Sequence, residues 1–180
     1  LSLGANTPWQ VSAGALVISG ESDSRGQVTV ASGASLQLNT GDHLFDALTL
    51  SGNLTGSGDA IATSSLAWHS NVAMSGSGRT IIAAGATASA SGNLPLSRTL
   101  EVYGTANING GISGGTVVNR PGGQFNLLDL GSFNALSSVL NEGTFTSTAT
   151  TYNTVQAVSF QNDGVVEVAS GELNLGGAHC

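Results

Sequence analysis

The sequence predicts an all-β protein, a parallel β-solenoid of about nine coils with roughly 20 residues per coil. Three observations carry this. A short phrase recurs at that period, apolar and polar residues alternate inside each unit, and glycine stands where each unit turns.

The recurrence is nearly literal at two distant places. "VASGASLQLN" runs from Val30 to Asn39, and "VASGELNLGG" from Val168 to Gly177. Related text surrounds Gly14 ("VSAGALVISG"), Gly85 ("TIIAAGATASAS"), Gly122 ("VVNRPGGQFNLL"), Gly143 ("SVLNEGTFTSTA") and Gly164 ("SFQNDGVVEVAS"). Gly14 and Gly33 are 19 residues apart, and Gly122, Gly143 and Gly164 follow at intervals of 21. A second phrase, "LTGSGDAI" and then "MSGSGRTI", places Gly58 and Gly78 at an interval of 20. The gap of 37 residues from Gly85 to Gly122 holds a further strand pair, "LEVYGTANING".

Taken along the chain, each unit reads as two extended pieces joined at a glycine. Leu36 and Leu38 alternate with Ser35, Gln37 and Asn39. Phe125 and Leu127 alternate with Gln124 and Asn126, and Val166 and Val168 flank Glu167. Successive side chains of a strand point to opposite faces, so these six apolar residues are expected inside the coil. Gly33, Gly85, Gly122, Gly143 and Gly164 are expected at corners, where φ > 0 costs glycine little. The opening "LSLGANTPWQ" reads as a partial coil closed by Pro8 and Trp9, and "LNLGGAHC" as the opening of a further coil. A β-sandwich or barrel would need two-residue hairpins such as Asn-Gly, and only Asn109-Gly110 fits that pattern. No stretch of a dozen residues carries helical periodicity.

Composition bounds the function. Residues 1–180 read as a single solenoid domain, an excerpt of a longer repeat array whose neighbouring repeats are its first partners. Only 8% of residues are charged; no lysine occurs, and four arginines (Arg25, Arg79, Arg98, Arg120) face eleven carboxylates for a net charge of -7. Nucleic-acid binding needs clustered cations and is excluded. A hydrophobic share of 40% excludes a disordered chain. No apolar run approaches the roughly 18 residues of a membrane span. Cys180 is the single cysteine, so no intramolecular disulfide forms.

At "SLAWHSNVAMSGSGRTIIAAGATASASG" (Ser65 to Gly92) the text resembles the repeats of large secreted bacterial exoproteins and adhesins, of the filamentous-haemagglutinin and autotransporter-passenger type. Trp68, the step from Ser75 to Gly78 and the corner from Ala84 to Ala86 follow the order of those repeats. "VSFQNDGVVEVASGELNLGGAHC" (Val158 to Cys180) resembles the same class. The resemblance implies a right-handed parallel β-helix at the cell surface or outside the cell. It carries over no catalytic or binding residue, because such repeats are scaffold.

Residues with chemistry are few. "GDHLFD" brings Asp42, His43 and Asp46 close in sequence. As a loop it would offer two carboxylates and an acid/base group; as a plain turn it would be solvated. Trp68 would stack on a sugar ring if exposed, and pack the coil if buried. These four are the candidate binding residues, and no catalytic residue is assigned. "GSGDAI" resembles half of a glycine-rich calcium turn, but Arg79 stands where a stacked Asp59 would be needed. His43, His69, His179 and Cys180 do not make a zinc set, since adjacent His179 and Cys180 point apart in an extended chain. No metal or cofactor is therefore expected. Thr144, Thr146, Thr148 and Thr150 alternate, as in a flat ice-binding array, yet a column taken four residues past the corner glycines (Gln37, Ser89, Asn126, Ser147) is mixed.

The leading expectation is a non-enzymatic stalk, spacer or adhesion scaffold of a secreted or cell-surface protein, with host or surface glycans or self-association as further partners. The alternatives are a carbohydrate-active β-helix enzyme or carbohydrate-binding module, and an ice-binding or self-assembling fibre module.

Overall fold

Leu36 and Leu38 are fully buried in the strand Ser35–Leu38, while Ser35 and Gln37 between them are not, as the period of two requires. The computed structural model, which describes residues 2–3, 8–129 and 131–179, repeats this pattern from end to end. Every strand pairing among the described residues is parallel, and none of them is helical. The chain is a parallel β-solenoid.

Three columns of inward residues define its three sides. On the second side Val11, Val30, Leu50, Trp68, Ala90, Ile108, Leu127, Ser147 and Val168 follow one another in register. On the first side the column is Ser24, Phe45, Ala62, Ile82, Val102, Asn119, Asn141 and Asn162, with the backbone of Leu3 paired ahead of Ser24 as the first rung. The third side carries Leu16, Leu36, Leu54, Met74 and Leu96, and continues from Leu94 of the same strand through Ile112, Phe133, Val155 and Leu175. Each column has nine rungs, joined by about eight turns, as the roughly 20-residue period leads one to expect. At about 4.8 Å per rung the stack is about 38 Å long.

The core fills this column. Phe125 and Phe145 stack in parallel at 5.4 Å, and Phe133 meets both edge-on. Rings of one column stack because rungs one turn apart put the same position at the same place. Five of the six residues expected inside are buried or half-buried: Leu36, Leu38, Phe125 and Leu127 wholly, Val166 in part. Val168 is 48% exposed, since it lies on the last rung and nothing stacks on it.

The corner glycines serve two different needs. At Gly33 and Gly85 φ is +80° and +83° and a side chain would meet open space, so the requirement is conformational. At Gly143 and Gly164 a Cβ would lie 2.4 and 2.2 Å from the carbonyl oxygens of Gly123 and Gly143, so the requirement is close approach of one turn to the next. Gly14, Gly33 and Gly171 turn from the second side to the third, whereas Gly85, Gly122, Gly143 and Gly164 turn from the first to the second. The repeated "VASG" at Val30 and Val168 marks one and the same corner. Cys180, Leu130 and part of the opening segment (residues 1 and 4–7) lie outside the described residues; Trp9 is half-buried against the core.

Candidate functional site

"GDHLFD" is a strand rather than a loop. Asp42–Leu50 is extended and pairs on both sides, with Ser22–Val30 and with Asp59–Trp68. Alternation then separates the candidates: Asp42 and Asp46 face outward and His43 inward. Four residues of strand keep the two carboxylates about 13 Å apart along the backbone.

His43 is 0% exposed and its Nδ1 lies 3.0 Å from the Ser22 hydroxyl. Its Nε2 has no partner among the described residues. Burial lowers the imidazole pKa, opposed by a backbone hydrogen bond at Thr40 and the charges of Asp42 and Asp59. A neutral, enclosed ring has no reach to a substrate. Asp46 accepts from Ser64 Oγ and lines a shallow cleft of about 410 Å³ with Asp23, Ser24, Leu44 and Thr63. Asp42 lies in register beside Asp59 of the next turn. Trp68 is buried and its indole N–H donates to the Val72 carbonyl at 2.7 Å.

The polar chemistry of the molecule lies elsewhere. Asp59, Arg79, Glu101, Arg120 and Glu142 come from five successive turns and alternate in sign along the axis. Arg79 donates its backbone N–H and its guanidinium to Asp59, at 2.6 Å and from Nε at 2.9 Å. Its Nη1 lies 2.9 Å from Glu101. Arg120 binds the other oxygen of Glu101 and then Glu142 at 3.2 Å. The Glu101 side chain is 1% exposed and held between two guanidinium groups. Burial raises the Asp59 pKa, but the hydrogen bonds and charge of Arg79 outweigh it and hold the carboxyl below its usual range. The substitution of Arg79 for a second aspartate, which argued against calcium, is here an ion pair.

Two further polar devices run inside the coil. Arg98 is buried, and burial lowers its pKa to about 10. It donates to the carbonyls of Gly78 at 3.0 Å, Gly58 at 2.7 Å and Arg79 at 2.8 Å. Asn119, Asn141 and Asn162 form a ladder: Asn119 Nδ2 donates to Asn141 Oδ1 at 2.7 Å, and Asn141 Nδ2 to Asn162 Oδ1 at 2.6 Å. The spacings of 22 and 21 residues in "VVNRP", "VLNEG" and "FQNDG" were the available signal for this ladder. Among the described residues, no three His, Cys, Asp or Glu side chains gather as a metal site would need.

What the fold defines is a class, the parallel β-solenoid repeat. In comparisons with known proteins the chain matches no family model, no curated protein and no solved structure.

Proposed function

We propose that this chain is a non-enzymatic segment of a secreted or cell-surface protein, a stalk, spacer or adhesion scaffold of the filamentous-haemagglutinin or autotransporter-passenger kind. The observation that carries the reading is the fate of the charged groups: Asp59, Arg79, Glu101, Arg120 and Glu142 bind one another from turn to turn, and Arg98 binds backbone carbonyls. Ionisable groups that tie rungs together serve length and rigidity rather than turnover. Parallel β–loop–β connections favour the right hand, and we assign that hand to the coil.

Incubation with pectin, alginate and other acidic glycans tests the reading. Intact polymer is expected. Cleavage that disappears in Asp42→Asn or Asp46→Asn would replace the scaffold with a carbohydrate-active enzyme.

A further inference from the structure

We infer that a groove over the fourth to seventh rungs binds a neutral saccharide. The inference rests on the adhesive reading above and gives it a place and a ligand class. The groove encloses about 320 Å³, at the lower end of the range of ligand pockets, about 300–1,000 Å³.

Its shape follows from side-chain size in register. Ala67, Ser89 and Asn107 succeed one another as outward neighbours on the second side, and Ser91 pairs with Asn109 at the adjoining corner. Alanine and serine leave a depression. His69 bounds it on the fourth rung, Asn107 and Asn109 on the sixth, and Leu128 on the seventh. The buried Trp68 and Ala90 stiffen its floor from beneath.

Its chemistry is neutral and hydrogen-bonding. Asn107 Oδ1 accepts from Asn126 Nδ2 at 2.8 Å, which fixes the carboxamide and leaves its Nδ2 hydrogens without a partner among the described residues. The Ser89 and Ser91 hydroxyls and the Asn109 carboxamide are exposed and likewise uncommitted there. Hydroxyl and amide groups on an apolar floor match the alternating C–H and O–H surface of a sugar.

Charge selects among sugars. No carboxylate or guanidinium lines the groove. The outward residues of the second side are uncharged from Gln27 to Thr146. Arg79 and Arg120 are engaged with carboxylates and Arg98 is buried, so none of these meets a uronate or sulfate. A net charge of -7 repels acidic glycans further. With the indole buried, the exposed His69 imidazole is the ring left at the groove's edge among the described residues, so a single contact is weak.

The test is titration of the 15N-labelled 180-residue chain with chitohexaose, laminarihexaose and, as the acidic counterpart, polygalacturonate, followed by amide shifts and by chromatography of the sugars. Shifts confined to residues 67–69, 89–91 and 107–109, with a neutral probe only, are expected. Ser89→Leu, which fills the groove, and Asn109→Ala, at an exposed corner, should each weaken binding about tenfold or more, whereas Thr29→Leu, two rungs before Ala67 on the same outward column, changes nothing. Absence of shifts with both neutral probes at millimolar concentration, or an equal response to polygalacturonate, overturns the inference and leaves the scaffold reading standing. Cleaved neutral oligosaccharide together with localised shifts upholds the groove and overturns the scaffold reading instead.

Discussion

Arg98 reaches back forty residues to donate its Nη2 to the carbonyl of Gly58, two turns earlier, at 2.7 Å. The reach is possible because Gly78 has no side chain: a Cβ there would sit 2.5 Å from the guanidinium and 2.1 Å from the Gly58 oxygen. Gly58 answers a different neighbour, since a Cβ there would lie 2.6 Å from His43 Nε2. Arg98→Ala should destabilise the fold by about 3–5 kcal/mol, from stranded carbonyls and a cavity. Arg98→Met refills the volume and should cost less, about 1–3 kcal/mol. Urea unfolding of both variants checks the order, and Gly78→Ala should be at least as damaging as Arg98→Ala.

The buried carboxylate gives a second expectation. Glu101→Gln removes the charge shared by Arg79 and Arg120, both of which keep partial access to water. That access tempers the cost of breaking a buried pair, so a loss of about 1–3 kcal/mol is expected. Asp59→Asn, nearer the surface end of the column, should cost about 0–1 kcal/mol. If chemical denaturation ranks the two the other way, the column does not stabilise the stack through Glu101.

The asparagine ladder is directional. Asn141 accepts from Asn119 and donates to Asn162 and to the Val165 carbonyl, at 2.6 and 2.9 Å. Asn119 donates to Asn141 and Thr144, but its Oδ1 has no partner among the described residues, since Val102 occupies the preceding rung. Asn141→Ala should therefore destabilise by about 2–3 kcal/mol and Asn119→Ala by less. Thermal unfolding of the two variants compares them directly.

His43 gives the pH dependence. Its folded pKa lies below the ordinary 6.5, chiefly through burial. Between the two values the unfolded chain holds a proton that the folded chain does not, so stability falls as pH drops through that window. Below the folded value the loss is complete, and above 6.5 the histidine contributes no slope. Unfolding free energies of wild type and His43→Gln, measured from pH 7.5 downward, should diverge in slope just below 6.5. Parallel curves would show that the ring is reachable by water.

The solenoid was legible because position repeats: Leu36, Leu54 and Phe133 meet one environment, so sequence reports it every turn. The corners were only half legible. Gly33 and Gly85 look alike in text, yet they turn different corners, so the column through Gln37 and Ser89 joins residues on two sides. Asp42, His43 and Asp46 read as a turn because Gly41 and Asp42 are turn formers, and the strand pairing of Leu44 and Phe45 overrode that local preference. The groove around Ser89 was hidden for another reason. Its residues lie 22 and 18 apart, and only the register makes them neighbours.

Each turn of about 20 residues advances the chain by one rung along a straight stack. Nitroxide pairs read by pulsed electron resonance test it most directly, in a Cys180→Ser background. Thr29 is the fixed label, and Asn107, Asn126 and Thr146 take the second in turn; all four lie on one outward column, four, five and six rungs apart. Distances of about 19, 24 and 29 Å are expected, rising by one rung spacing each time. Distances that fail to rise in order, as in a sandwich that folds later strands back beside earlier ones, would contradict it.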